Sequence, residues 1–284
     1  MKKQKKKRNA IISAIIVIVV LIAGYFSFVK PQQQSAKTVT VGIMAGSKGD
    51  DALWNSVAKT AKDKYGLTLK FKRFTDYNQP NKALSNGDVD LNAFQHKLFL
   101  KQWNQAHKTN IVSVGDTVIT PIRVYSHKYK SIKDIPNGAT IAVPNDATNE
   151  SRALYVLKNA GLFSLKKGTK LATAASITDN KKNIKIKELA ADQTARSLDD
   201  VDAAVVNTNY AVAAGIDYKS AIFVEPLNSD SAQWVNIIAT DKKNKNNKAY
   251  KEVVKAYQTE ATKQVLKKYY GTAELPAWDR NFNK

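Results

Sequence analysis

The 284-residue sequence contains no cysteine. Disulfides, thiolate metal sites, thiol nucleophiles and a lipid-bearing cysteine are therefore excluded, and the composition suits a non-reducing compartment in which a stray thiol is a liability. Histidine is scarce too, with only His96, His107 and His127. No HExxH pair occurs, so zinc hydrolysis lacks its ligands. Neither a GxSxG elbow nor a Walker loop is present. The stretch GIMAGSKG (42–49) has neither GxGxxG spacing nor a GK[ST] ending, and reads as a strand-to-helix turn. Arginine is rare although the formal net charge is +21. Arginine does most of the reading of bases and paired phosphate oxygens, and the lysines are dispersed in runs such as KKNKNNK and YKSIKD. The charge is therefore read as a surface facing an anionic cell envelope, with no nucleic acid partner. Asp88 and Asp90 in GDVD read as turn and strand-entry residues. Asp199, Asp200 and Asp202 in SLDDVD lack the spacing of an EF-hand loop and read as a solvated turn. No metal and no cofactor is expected.

Long apolar runs are limited to one. Lys2, Lys3, Lys5, Lys6, Lys7 and Arg8 precede nineteen uncharged, mostly apolar residues, Ile11 to Val29. As a helix this run would rise about 28 Å, close to the hydrocarbon core of a bilayer, with its basic flank held in the cytoplasm. Two outcomes fit: an uncleaved signal anchor, or a signal peptide cut between Gly24 and Gln34. The bulky, basic GYFSFVK at its end lacks the small residues that cleavage prefers, and the anchor is the expectation. Residues 1–30 are then a basic leader and transmembrane signal anchor. Residues 31–37 form a polar tether, and the rest of the chain lies outside the membrane.

The remaining residues suffice for two lobes. Strand patterns at 39–44, 67–73, 89–93 and 111–119 alternate with helical patterns ending near Tyr65, at 78–85 and at 97–106, which predicts a parallel α/β sheet. Asp50 or Asp51 is the expected cap of the first helix. The pattern then restarts. Strands are expected at 123–126, 139–143, 184–189, 203–206, 221–224 and 234–240, with a helix after 143 capped by Thr148 or Asn149 and another at 208–214. One long amphipathic helix, 248–270, closes the chain, with Val253, Tyr257, Ala261 and Val265 on its apolar stripe. The fold class is α/β, two lobes with a ligand cleft between them.

Polar residues at strand-to-helix junctions converge on such a cleft. Tyr77 follows the second strand, Phe94 to His96 the third, and Asn145 to Arg152 the first strand of the second unit. Asn207 to Asn209 follow a later one. Arg152 can grip both oxygens of a carboxylate, and Asn207 can receive an ammonium through its amide oxygen. Tyr77, Phe94 and His96 can wall an apolar or thioether side chain. The plainer reading of the same residues is separate caps and core aromatics.

The runs YNQPNKALSNGDVDLNAFQHKLFL, VPNDATNESRAL, SLDDVDAAVVNTNYA and VEPLNSDSAQWVNIIAT carry a resemblance. In combination, order and spacing they resemble the methionine-binding lipoprotein (NlpA) family of bacterial ABC importers, from about residue 38 to the C-terminus. The resemblance implies a fold of the periplasmic-binding-protein type, with lobe 1 built from 38–120 and 228–284 and lobe 2 from 121–227. It implies a non-enzymatic receptor that closes on a free amino acid, methionine in most members. The ligand then passes to a permease with two membrane and two ATPase subunits. Tyr77, Phe94 and His96 would enclose the methionine side chain, Arg152 would clamp the carboxylate with Asn149 nearby, and Asn207 and Asn236 would contact the head group. Family members carry a lipidated cysteine after the signal peptide. Here helix 11–29 would do the tethering, in a cell that needs no lipid-bearing cysteine for this receptor. Other readings are a receptor for a different amino acid or a methionine-containing dipeptide, a membrane-anchored hydrolase or lyase, and a basic envelope-associated protein.

Overall fold

A computed structural model describes residues 37–282, and the unit considered below begins at Thr38. The expected leader and anchor, and the expected tether up to residue 36, lie outside the described residues, and Lys37 opens the first strand. Among the described residues no helix is long and apolar enough to cross a membrane.

The first strand, β1 (Lys37–Met44), is an alternating run of β-branched residues that buries Val39, Val41 and Ile43. Helix α1 (Lys48–Tyr65) follows. Its cap is Ser47, three to four residues before the expected aspartates. Ser47 Oγ accepts from the Gly49 and Asp50 amides while the Asp50 carboxylate accepts from the Ser47 amide, a reciprocal capping box. Gly66, in the left-handed region at φ 66°, ends the helix. Next come β2 (Leu67–Phe74), α2 (Gln79–Asn86) and β3 (Leu91–His96). The third strand lies two to three residues later than the sequence suggests. Asp90 is the reason: its carboxylate accepts from the Thr40 amide and the Tyr250 hydroxyl, both at 2.8 Å, tying the strand entry to β1 and to the C-terminal helices. Helix α3 (Lys97–His107) and β4 (Ile111–Ile119) complete this part.

The chain then passes through Thr120–Ile122 to a second sheet. Its elements in chain order are β5 (Arg123–Tyr125), β6 (Thr140–Pro144), α4 (Ala147–Asn159), the small hairpin β7 (Ser164–Leu165) and β8 (Ile177–Thr178), and β9 (Lys185–Leu189). After these come α5 (Ala191–Thr194), β10 (Ala203–Val206), α6 (Thr208–Ala213) and β11 (Phe223–Val224). The chain returns with β12 (Val235–Asp241), α7 (Lys248–Tyr257), α8 (Glu260–Tyr270) and β13 (Leu275–Pro276).

Strand order is β13-β4-β12-β3-β1-β2 in one sheet and β11-β5-β10-β6-β9 in the other. Neither is wholly parallel, contrary to the sequence expectation. β1 runs parallel to β3, but β12 is antiparallel to both β3 and β4. In the second sheet β6 is parallel to β9 and β10, whereas β5 is antiparallel to β10. Strand–helix alternation predicts parallel crossovers only while the chain stays on one sheet. β12 arrives from the other sheet with only a short 3-10 helix (Ser229–Trp234) before it, and enters in the opposite direction.

Each sheet has its own core. α1, α7 and α8 cover one face of the first sheet with Leu53, Val57, Val253 and Leu266, and α2 and α3 cover the other with Leu84, Phe99 and Trp103. The second sheet packs on α4 through Ala153, Leu154 and Leu157. Gly115 of β4 lets α7 approach closely, since a Cβ there would lie 2.3 Å from Val254 Cγ1. The C-terminal helix is two helices. Gln258 leaves the helical region and Thr259 caps α8, accepting from the Thr262 amide. The second apolar stripe therefore shifts to Thr262, Leu266 and Tyr270, and Ala261 is exposed.

Candidate functional site

The carboxyl ends of β1, β3 and β4 face α4 and α6 of the other sheet across a cavity of about 110 Å³. An engineered apolar cavity of roughly 150 Å³ accepts benzene, so this is space for one small molecule. All seven residues expected from the sequence line it: Tyr77, Phe94, His96, Asn149, Arg152, Asn207 and Asn236.

On the first sheet, strand alternation puts Phe94 and His96 on the same face of β3. Tyr77, Phe94 and Phe99 form a continuous aromatic wall, with ring centroids 6.0 Å apart for Tyr77–Phe94 and 5.8 Å for Phe94–Phe99. Tyr210 of α6 adds a fourth ring 5.0 Å from Tyr77. Gln95 turns its amide into a buried network, exchanging hydrogen bonds of 2.8 Å with Asn81. His96 both ends β3 and caps α3: its Nδ1 accepts from the Phe99 amide at 3.0 Å. Burial, then the nearby Arg152 charge, hold the ring pKa down at about 3, so the imidazole is neutral. With Nδ1 accepting, the proton resides on Nε2. That atom is buried and has no hydrogen-bond partner among the described residues.

On the second sheet, Asn149 and Arg152 sit three residues apart on α4, on one helical face. The helix cap is Asp146, whose carboxylate accepts from the Asn149 amide, and Thr148 and Asn149 are inside the first turn. This corrects the sequence expectation. Asp146 follows the extended Pro144–Asn145 corner and is the first residue able to reach the free amides. Asn207 occupies the cap position of α6 but makes no side-chain cap bond. Its Nδ2 instead donates to Asn149 Oδ1 at 2.9 Å, and its Oδ1 is buried without a partner among the described residues.

Arg152 is engaged more fully than a free clamp. Nε and Nη2 donate to the two carboxylate oxygens of Glu225 at 2.9 and 2.5 Å, and Nη2 also to the Thr120 carbonyl at 2.9 Å. Trp234 supports the guanidinium, whose central carbon lies 4.7 Å from the ring centroid. Among the described residues Nη1 makes no hydrogen bond. The forked grip expected for a ligand carboxylate is thus taken by Glu225, and Nη1 is the nitrogen left over. Asn236 pairs with His96 across the β12–β3 register and makes no side-chain hydrogen bond among the described residues.

Sequence reasoning placed Asp146 and Asn209 within the stretches converging on the cleft but gave neither a role, and it missed Glu225 and Trp234 beside Arg152. Asn209 accepts from the Tyr77 hydroxyl at 2.5 Å, a contact between the two sheets, and its Nδ2 is buried without a partner. The VVNTNYA run contained the signal, since Asn207 and Asn209 flank one residue at a helix start. Glu225 gave none, because only the tertiary fold brings it 73 residues back to Arg152. The cavity also reaches Asp50, Trp54, Tyr257 and Glu274. Burial, then the Asp50 charge, raise the Glu274 carboxyl to about 8. Among the described residues no His/Asp/Glu cluster could hold a metal ion.

The family model described as NlpA lipoprotein matches residues 39–278. The D-methionine-binding lipoprotein MetQ of Escherichia coli O157:H7 is 41% identical over 244 residues, covering 84% of this chain and 88% of its own. The substrate-binding protein of a methionine transporter from Streptococcus pneumoniae superposes with a TM-score of 0.81 at 46% identity, over 85% of this chain and 96% of that one. A Burkholderia cenocepacia nutrient-binding protein, solved bound to methionine, gives 0.80 at 45% identity over 84% and 99%. The described chain thus shares the two-lobed α/β fold of substrate-binding proteins at identities well above those that show fold alone, and it belongs to the NlpA lipoprotein family.

Proposed function

We propose that this chain is the extracytoplasmic substrate-binding protein of an ABC importer, capturing methionine between its lobes and delivering it to the membrane permease and its ATPase subunits. One observation carries the reading. Three buried polar atoms without partners among the described residues, His96 Nε2, Asn207 Oδ1 and Asn209 Nδ2, belong to residues lining one cavity beside Arg152. A buried polar atom without a partner costs about 1–3 kcal/mol, so such a set is expected where a ligand supplies the partners. The donors suit a carboxylate and the acceptor suits an ammonium, the two ends of an amino-acid head group. The ring wall of Tyr77, Phe94 and Phe99 suits a thioether, which gains from sulfur–aromatic contact.

Lobe 1 comprises 38–120 and 228–284, and lobe 2 comprises 121–227, with Thr120–Ile122 and the segment after Glu225 linking them. Residues 11–29 anchor the receptor beside its permease. An enzymatic role is disfavoured by His96, which commits Nδ1 to a helix cap and is too weak a base to take a proton at neutral pH.

The test is calorimetric titration of the full chain in detergent with L-methionine, after unfolding and refolding to strip bound ligand. Saturable one-to-one binding is expected. Arg152→Lys keeps a charge opposite Glu225 yet cannot reach three partners, and should weaken binding by about tenfold or more. Absence of heat together with absence of a thermal shift would exclude methionine and turn the search to dipeptides and other amino acids.

A further inference from the structure

We propose that Asp146, which lies outside the ligand contacts, makes this cavity select ligands bearing a free ammonium group, by locking two amides in a single orientation. The proposal rests on the amino-acid reading above and adds a positioning residue to it.

The argument is one of donor and acceptor polarity. An amide side chain can present either its oxygen or its NH2 to a cavity, and the two ends have nearly the same shape. An ionised carboxylate offers acceptors only. Both Asp146 oxygens receive Asn149 Nδ2, at 2.9 and 3.1 Å, so that NH2 group faces Asp146. Asn149 Oδ1 is thereby turned the other way, where it accepts Asn207 Nδ2 at 2.9 Å. Asn207 has then spent its donor end, and its Oδ1 remains, buried and unpartnered, in a residue lining the cavity. The polarity is transmitted from a carboxylate at the start of α4 to an acceptor on α6, through two bonds that each allow one orientation. Asp146 is itself fixed from two further sides, by the Thr148 hydroxyl at 2.9 Å and the Asn149 backbone amide at 3.1 Å.

Remove the charge and the relay loses its sense. An asparagine at 146 can face Asn149 with either end, and a reversed chain would present Asn207 Nδ2 to the cavity. A donor opposite an ammonium is repelled, and a buried ammonium without acceptors is costly. The ligand class selected is therefore one with a protonated primary amine. Des-amino analogues gain nothing from the relay.

Asp146→Asn is a suitable variant, since asparagine caps helices as well as aspartate does, and the melting temperature reports whether the fold is retained. Wild type and variant, as full chains in detergent stripped of ligand, are titrated with L-methionine and with 4-(methylthio)butanoate, which is methionine without its amino group. The weaker analogue is read by displacement of methionine at millimolar concentration. The expected result is a loss of at least about tenfold for methionine and a change within about twofold for the analogue, so that the preference between them collapses. Equal losses for both ligands would mean a general structural role and would overturn the proposal, as would an unchanged methionine affinity. A wild type that binds no methionine fails the amino-acid reading itself, and that failure is visible before the variant is made.

Discussion

Glu274 sits in an environment far from the one its type predicts. It is 7% exposed, forms no ion pair and no hydrogen bond among the described residues, and lines the same cavity as the candidate site. Its carboxyl is raised by burial and by Asp50 from the usual 4.5 to about 8, so it is protonated in the folded state at neutral pH. In the unfolded chain it is ionised there. The stability tied to this shift is complete below pH 4.5 and is lost as pH rises through about 8. Glu274→Gln should flatten that decline: denaturant midpoints measured between pH 5 and 9 should fall for the wild type and stay level for the variant. A parallel decline in both would show that the slope arises elsewhere. Much of the site was legible in the residues, because Tyr77, Phe94, His96, Asn149, Arg152, Asn207 and Asn236 share one cavity. Their hydrogen-bond states were not. Whether Arg152 is free depends on Glu225, and whether Asn207 offers oxygen or NH2 depends on Asp146.

At the scale of elements, local pattern decided existence and tertiary contact decided edges. Alternation placed β1, β4 and β10 within two residues of where they lie. Caps were misplaced at α1 and α4, where the reading favoured residues nearer the apolar run. Ser47 and Asp146 win because only they combine extended backbone with reach to the second or third helical amide. The α7–α8 break escaped notice because no glycine or proline marks it. Between β4 and α7 the contact is close enough to be tested. Gly115→Ala sets a methyl 2.3 Å from Val254 Cγ1, and overpacking of this kind costs about 1–3 kcal/mol. The variant should unfold at lower denaturant with an unchanged slope. The double variant with Val254→Ala should recover part of the loss.

For the whole molecule, four hydrogen bonds among the described residues join the part of the chain before Pro121 or after Gly271 to the second sheet and its helices: Tyr77 to Asn209, Tyr210 to the Thr75 carbonyl at 3.2 Å, Arg152 to the Thr120 carbonyl at 2.9 Å, and Arg123 to the Thr272 carbonyl at 2.9 Å. Met44 and Tyr77 also pack against the second sheet's cluster around Val206 and Tyr210. A ligand held by both sides adds to this closure. At a concentration of 100 times Kd it should stabilise the chain by about 2.7 kcal/mol, a rise in Tm of roughly 5–10 °C. The two lobes should melt in one transition when methionine is bound. A ligand-induced shift confined to one of two transitions would mean that the ligand touches a single lobe.

Sequence alone determined the α/β class, the order of strands and helices and the residue types available for a zwitterion with an apolar tail. These properties follow from periodicity and side-chain chemistry, which act over a few residues. Only the tertiary structure decided that both sheets are mixed, that β12 returns between β3 and β4, and which way each buried amide faces. Strand direction depends on where the chain enters a sheet, and amide polarity depends on partners such as Asp146, Asn149 and Asn207, as far as 58 residues apart. Apart from the Asp146–Asn149 bond, three residues apart, neither leaves a local trace, because the free energy that settles them comes from groups that meet only after the lobes have formed.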